Sequence, residues 1–143
     1  MSDTAPGSTA SVATDPSAGA PALVDVGWLA EHLDEPDLVV LDATMGPAPS
    51  SPRIRGARWF DHDVAMAAPG SGLPHTLPSI SRFQEQVRRL GVDGASRVVV
   101  YDDTGIFPSP RARWMLRRAG HRRVSVLDGG LPALAVLHQL VQH

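Results

Sequence analysis

Two carboxylates and a threonine stand where a sheet protein would put its chemistry. Asp102-Asp103-Thr104-Gly105 follows directly on Arg97-Val98-Val99-Val100-Tyr101, and the segment continues through Ile106-Phe107-Pro108-Ser109-Pro110. Three β-branched residues and an aromatic in a row predict a strand buried on both faces, the centre of a parallel sheet. In open parallel sheets ligands bind outside the carboxyl ends of the strands, so the loop after Tyr101 is the expected site. It offers no thiol. A second polar group comprises Asp61, His62 and Asp63 and, after a Gly/Pro-rich stretch, His75. Its spacing matches no standard metal site, and neither a metal nor a cofactor is expected. On residue type alone Asp63 reads as a loop cap and His75 as an exposed loop histidine.

The elements that must hold these residues follow from periodicity. Leu23-Val24 predicts a short strand, and Asp25 caps a helix carrying Trp28, Leu29, His32 and Leu33 at helical spacing. Leu38-Val39-Val40-Leu41, ending in Asp42, is a second buried run, and a short strand is expected near Ala57–Phe60 after a tight turn at Gly56. Ser79 caps a helix whose stripe is Ile80, Phe83, Val87 and Leu90, with Arg82, Glu85, Arg88 and Arg89 on the solvent face and Gly91 as its stop. A further helix runs from Ser109 or Pro110 to Ala119, with Ala112, Met115, Leu116 and Ala119 inward. Trp114 falls outside that stripe, either as an exposed singleton or under a covering partner. His121 reads as a partner for the helix C-terminal dipole rather than a ligand. Val124-Ser125-Val126-Leu127 is the last strand, and Asp128-Gly129-Gly130 a turn. Strands alternating with helices predict an α/β fold with a parallel sheet covered on both faces.

Composition narrows the function. The chain has 143 residues, 43% hydrophobic and 20% charged, with a formal net charge of -2. That suits one domain with one core, and the arginine pairs are too few and too spread for a nucleic-acid footprint. Residues 1–20 are Ala/Ser/Thr/Pro/Gly-rich and read as a disordered tail. They show no secretory pattern and no run reaches membrane-spanning length, so a cytoplasmic protein without a membrane partner is expected. There is no cysteine.

The order of motifs resembles the rhodanese domain. Leu38-Val39-Val40-Leu41-Asp42, the segment Ile54-Arg55-Gly56-Ala57-Arg58-Trp59-Phe60-Asp61, and Val126-Leu127-Asp128-Gly129-Gly130-Leu131-Pro132-Ala133 carry the likeness across residues 22–133. More narrowly, Tyr101-Asp102-Asp103-Thr104-Gly105 and Pro108 to Arg117 resemble the N-terminal, non-catalytic domain of tandem thiosulfate/3-mercaptopyruvate sulfurtransferases. The resemblance implies a rhodanese-like open parallel sheet of about five strands with helices on both faces. It also implies that the persulfide-forming cysteine belongs to a C-terminal partner domain.

Sulfur transfer needs a group that attacks a polarised sulfur and then holds it, and only a low-pKa thiolate does both. Asp102-x-x-Gly105 keeps the family's Cys-x-x-Gly spacing with a carboxylate in place of the thiol, so the chain alone is expected to be inactive. Asp102, Asp103, Thr104 and Gly105 then form a degenerate loop. By the same resemblance, Phe60-Asp61-His62-Asp63 and Pro74-His75-Thr76-Leu77-Pro78 match segments whose aspartate and histidine assist the other domain's cysteine, which makes Asp63 and His75 candidate contributors. The expected partner is a cysteine-bearing C-terminal rhodanese domain, or a second copy through an exposed face. The alternative is a free-standing, inactive rhodanese-like module that binds a ligand at the Asp102–Pro110 loop. Leu134 stands where the family has a tryptophan, and residues 134–143 read as a short tail, with Leu134, Leu137 and Val141 on one helical face, in place of the linker and catalytic domain.

Overall fold

The computed structural model describes residues 19–45, 53–68, 70, 76–102, 108–128 and 141–142. In chain order the elements are β1 (Leu23–Val24), α1 (Val26–His32), β2 (Leu38–Asp42), β3 (Arg53–Ile54), β4 (Arg58–Trp59), α2 (Ile80–Arg89), β5 (Arg97–Tyr101), α3 (Pro108–Arg118), β6 (Val124–Leu127) and β7 (Val141–Gln142). Five strands form one parallel sheet in the order β1-β6-β5-β2-β4. The apolar run of β5 puts it third of five, and Val98, Val99, Val100 and Tyr101 are each 0% exposed.

Both faces of the sheet are covered. Val98 and Val100 point into a cluster with Phe83 and Val87 of α2 and Ala112, Met115 and Leu116 of α3, while Val99 and Tyr101 join Leu29 of α1 on the other side. Period-two alternation in the strand thus divides one apolar run between two cores. Asp25 caps α1 by accepting from the Trp28 amide at 2.7 Å, and Ser79 caps α2 by accepting from Arg82 at 3.2 Å.

Four expectations are corrected. Ile80 is 41% exposed, because the stripe of α2 meets the sheet from Phe83 onward and the first helical residue lies beyond it. Arg82, placed on the solvent face, is half-buried. Val141 does not line a helix: it pairs in β7, antiparallel to β3, opposite Ile54. The backbone amide of His121 closes α3 by donating to the Leu116 carbonyl at 2.9 Å, but its side chain reaches across the fold instead of to the helix end, Nε2–H donating to the Ser96 carbonyl at 2.9 Å. Leu134 and Leu137 lie outside the described residues.

The amino-terminal end of the sheet is fastened by Arg97. Its guanidinium donates to the Val98 carbonyl at 3.2 Å and to Ser125 Oγ at 3.1 Å, and lies 4.7 Å from the Trp28 ring centroid. Burial, with Arg123 nearby, pulls its pKa down to about 10, so it stays charged near neutral pH. This end is held by structural contacts, and the opposite end carries the acids.

Burial, reinforced by Arg123, holds His121 below the usual histidine range despite the opposing pull of the Ser96 bond and Asp93. The neutral ring that donates to Ser96 is therefore the folded form. Below about pH 6.5 the unfolded chain takes up this proton more readily, so this contribution to stability is present above that pH and is lost as the pH falls through the folded pKa. In His121→Gln the fall in Tm between about pH 7 and about pH 5 should be smaller than in the parent. Thermal melts across that range measure the difference, and equal slopes would remove His121 as a source.

Candidate functional site

Every described strand of the main sheet from β2 onward ends at or near an aspartate: Asp42 closes β2, Asp61 follows β4, Asp102 follows β5 and Asp128 follows β6. Asp42 and Asp102 are buried, at 1% and 0% exposure, and Asp128 is exposed. Each buried carboxylate has its own reason for being there.

Asp42 and Tyr101 are register partners on adjacent strands. Tyr101 Oη donates to Asp42 Oδ2 at 3.1 Å and accepts from the Ile54 amide at 3.2 Å, while the Thr44 amide donates to Asp42 Oδ1 at 3.0 Å. The network ties β2, β3 and β5 together. Tyr101→Phe should cost about 1–3 kcal/mol, since it removes a donor from a buried carboxylate and an acceptor from a buried amide. Urea unfolding should show a lower midpoint at unchanged slope.

Asp102 is turned inward onto α3. Its Oδ2 accepts from the Ser109 amide at 2.8 Å and from the Ser109 hydroxyl. The sequence of α3 makes this necessary. Pro108 and Pro110 have no N–H, so among the first three helical residues only Ser109 brings a backbone donor, and no Ser, Thr, Asp or Asn immediately precedes the helix. Asp102 supplies the missing acceptor across the loop, and its Oδ2 is committed to the fold. Asp103, Thr104 and Gly105 lie outside the described residues.

Asp63 and its neighbours form a turn after β4. Asp61 caps this turn: its Oδ1 accepts from the Asp63 amide at 3.1 Å and the Val64 amide at 3.2 Å. Asp63 itself is exposed. His62 is buried at 2% exposure with its ring edge-on to Phe60, centroids 4.9 Å apart, and Phe60 meets Phe83 at 5.9 Å. His75 lies outside the described residues. The next residue is anchored, as the Thr76 carbonyl accepts from the Ala68 amide at 2.8 Å, which brings the chain beside position 75 back to the end of the turn that begins at Asp61.

The described residues contain no group of three or more His, Cys, Asp or Glu able to hold a metal ion. Nor is any described helix long and apolar enough to cross a membrane. The buried roles of Asp42, Asp102 and His62 were missed on sequence. One signal for Asp102 was available: an aspartate directly after a buried strand, followed by a helix opening Pro-Ser-Pro.

A five-stranded parallel sheet in this order, with helices on both faces and its acids at the carboxyl ends, is the rhodanese fold, and the Rhodanese-like domain family model matches residues 25–136: the chain belongs to that family. It is similar to 3-mercaptopyruvate sulfurtransferase of Escherichia coli (strain K12), with 40% identity over 118 residues covering 76% of this chain and 42% of the relative. It is 41% identical over 134 residues to the mitochondrial thiosulfate/3-mercaptopyruvate sulfurtransferase 1 of Arabidopsis thaliana, covering 87% of this chain and 34% of that one. The crystal structure of the 3-mercaptopyruvate sulfurtransferase SseA from Escherichia coli superposes with a TM-score of 0.72 at 36% identity, covering 85% of this chain and 51% of that one. The chain thus spans less than half the length of these two curated relatives.

Proposed function

We propose that this chain is the cysteine-free, N-terminal-type half of a sulfurtransferase, acting in the cytoplasm with a cysteine-bearing rhodanese domain on thiosulfate or 3-mercaptopyruvate, and inactive alone. The observation that carries this reading is Asp102. At the end of the central strand, where a sulfurtransferase of this fold needs a thiolate, stands a carboxylate whose Oδ2 is bonded to Ser109. A carboxylate neither attacks sulfane sulfur nor retains it as a persulfide, and the sequence has no cysteine to replace it.

In this reading the chain's contribution is proton handling at the partner's cysteine. His75 accepts the thiol proton and so raises the thiolate fraction, and Asp63 fixes the imidazole tautomer. Exposure of the Asp63 turn is compatible with a role completed by another domain. The module reading, in which a ligand is held by the Asp102 carboxylate, is disfavoured because the fold already uses that group's Oδ2.

The test is thiocyanate formation from thiosulfate and cyanide, and pyruvate release from 3-mercaptopyruvate, by the purified chain alone and with a separately purified cysteine-bearing rhodanese domain. Silence alone and turnover above the partner's own rate on mixing are expected. Turnover by the chain alone, or no gain on mixing, would overturn the reading.

A further inference from the structure

Away from the acidic strand ends, edge strand β1 and helix α3 bound a groove of about 630 Å³. Its apolar part includes the two large hydrophobic side chains Leu23, 56% exposed, and Trp114, 52% exposed, with Pro110 in the first turn of α3. Its rim carries Arg113, Arg117, Arg118 and Arg122 against the single carboxylate of Asp128. In a chain of formal net charge -2 this is a local inversion of sign.

The cations are not neutralised within the described structure. Arg55 pairs with Asp34 at 3.8 Å and Arg89 with Glu85 at 3.6 Å, but among the described residues no carboxylate forms an ion pair with any of the four groove arginines. Arg113 is fixed in place by donation from Nε to the Val124 carbonyl at 3.0 Å. Burial, and then the charge of Arg117, hold its guanidinium below its ordinary pKa, as expected where like charges gather.

We propose that this groove docks an acidic segment of a partner protein, with an apolar side chain seated between Leu23 and Trp114 and carboxylates paired to the rim arginines. The charge pattern chooses this occupant. A second copy facing the groove with the same surface would set four arginines against four, which is unfavourable in an isologous contact. A nucleic acid would satisfy the arginines and leave the aliphatic floor at Leu23 and Pro110 without a counterpart. An acidic segment with an apolar anchor answers both the rim and the floor, with aromatic and arginine contacts of the kind that dominate binding energy. The proposal stands independently of sulfur transfer.

Fluorescence anisotropy with a fluorescein-labelled synthetic peptide, Glu and Asp residues flanking a central Leu-Phe pair, tests it on the full chain. Saturable binding that weakens with added salt is expected, with a loss of about tenfold or more both in Trp114→Ala and in the double variant Arg117→Glu with Arg122→Glu. The replaced side chains are exposed, and unchanged thermal melts would confirm that both variants fold. The proposal fails if the peptide does not bind, or if replacing Leu-Phe by Ser-Ser leaves the affinity unchanged. It also fails if Trp114→Ala has no effect, if a single-stranded oligonucleotide binds more tightly than the peptide, or if sedimentation shows a dimer that Trp114→Ala dissociates.

Discussion

His75→Ala is expected to lower the turnover of the chain mixed with a cysteine-bearing rhodanese domain by about a hundredfold, the lower end of what a positioned general base contributes. The effect should fall on kcat and kcat/KM together, since a proton acceptor for the thiol acts on the chemical step rather than on holding the substrate. Asp63→Asn should cost at least as much, about a hundredfold or more, because an amide in place of the carboxylate can donate to the imidazole and hold the tautomer that cannot accept the thiol proton. The pH profile separates catalysis from packing. With His75 present the rate should rise with deprotonation of the imidazole, and in His75→Ala that limb should move upward, toward the pKa of the partner's unassisted thiol, about 8.5. An unchanged rate and profile in His75→Ala would make it an ordinary loop residue and leave the partner's cysteine to activate itself.

Asp102→Ala should destabilise the chain by about 2–4 kcal/mol, combining the loss of a helix cap with two donors stranded in the interior. Its Oδ2 accepts from both the amide and the hydroxyl of Ser109, at a helix start where the prolines on either side bring no N–H. For a domain of this size the loss corresponds to a fall in Tm of about 8–20 °C. Asp102→Asn keeps an acceptor of nearly the same shape and should cost about 1 kcal/mol. Ser109→Ala in a double-mutant cycle with Asp102→Ala should show coupling from the hydroxyl contact, which either change removes, while the contact of the Ser109 amide is lost only in Asp102→Ala. A shift within about 0.5 kcal/mol for Asp102→Ala would mean that the carboxylate is solvated, and would revive the reading in which it meets a ligand.

The architecture was legible because its signals are local. A run such as Val98-Val99-Val100 is buried in nearly any fold that accepts it, and the capping residues Asp25 and Ser79 act within three positions of their partners. The contacts that were not legible join distant residues. Ile54 meets Val141 across β3 and β7, His121 reaches Ser96, and Asp102 reaches over the loop to Ser109. Polarity misled at Asp102, since a charged residue after a strand suggests an open site, whereas the proline-rich helix start claims it from within. At the turn after β4, residue type did not single out Asp61: Asp61 and Asp63 are chemically alike, and only the path of the chain decides that Asp61 accepts the two amides.

The strand order has a consequence for the chain as it leaves the ribosome. Strand β1 is made first, yet it pairs with β6, Leu23 opposite Val126. At about 5–20 residues per second that partner appears about 5–20 s later. During synthesis the edge of the nascent sheet therefore stays unclosed until almost all of the domain has emerged, and β2, β5 and the helices around them must assemble without β1. The strand most exposed to a chaperone or to misassociation in that interval is the first strand of the sheet, β1. Slow stretches of message placed before β6 would prolong the delay, whereas the same stretches placed after it would give β1 time to dock.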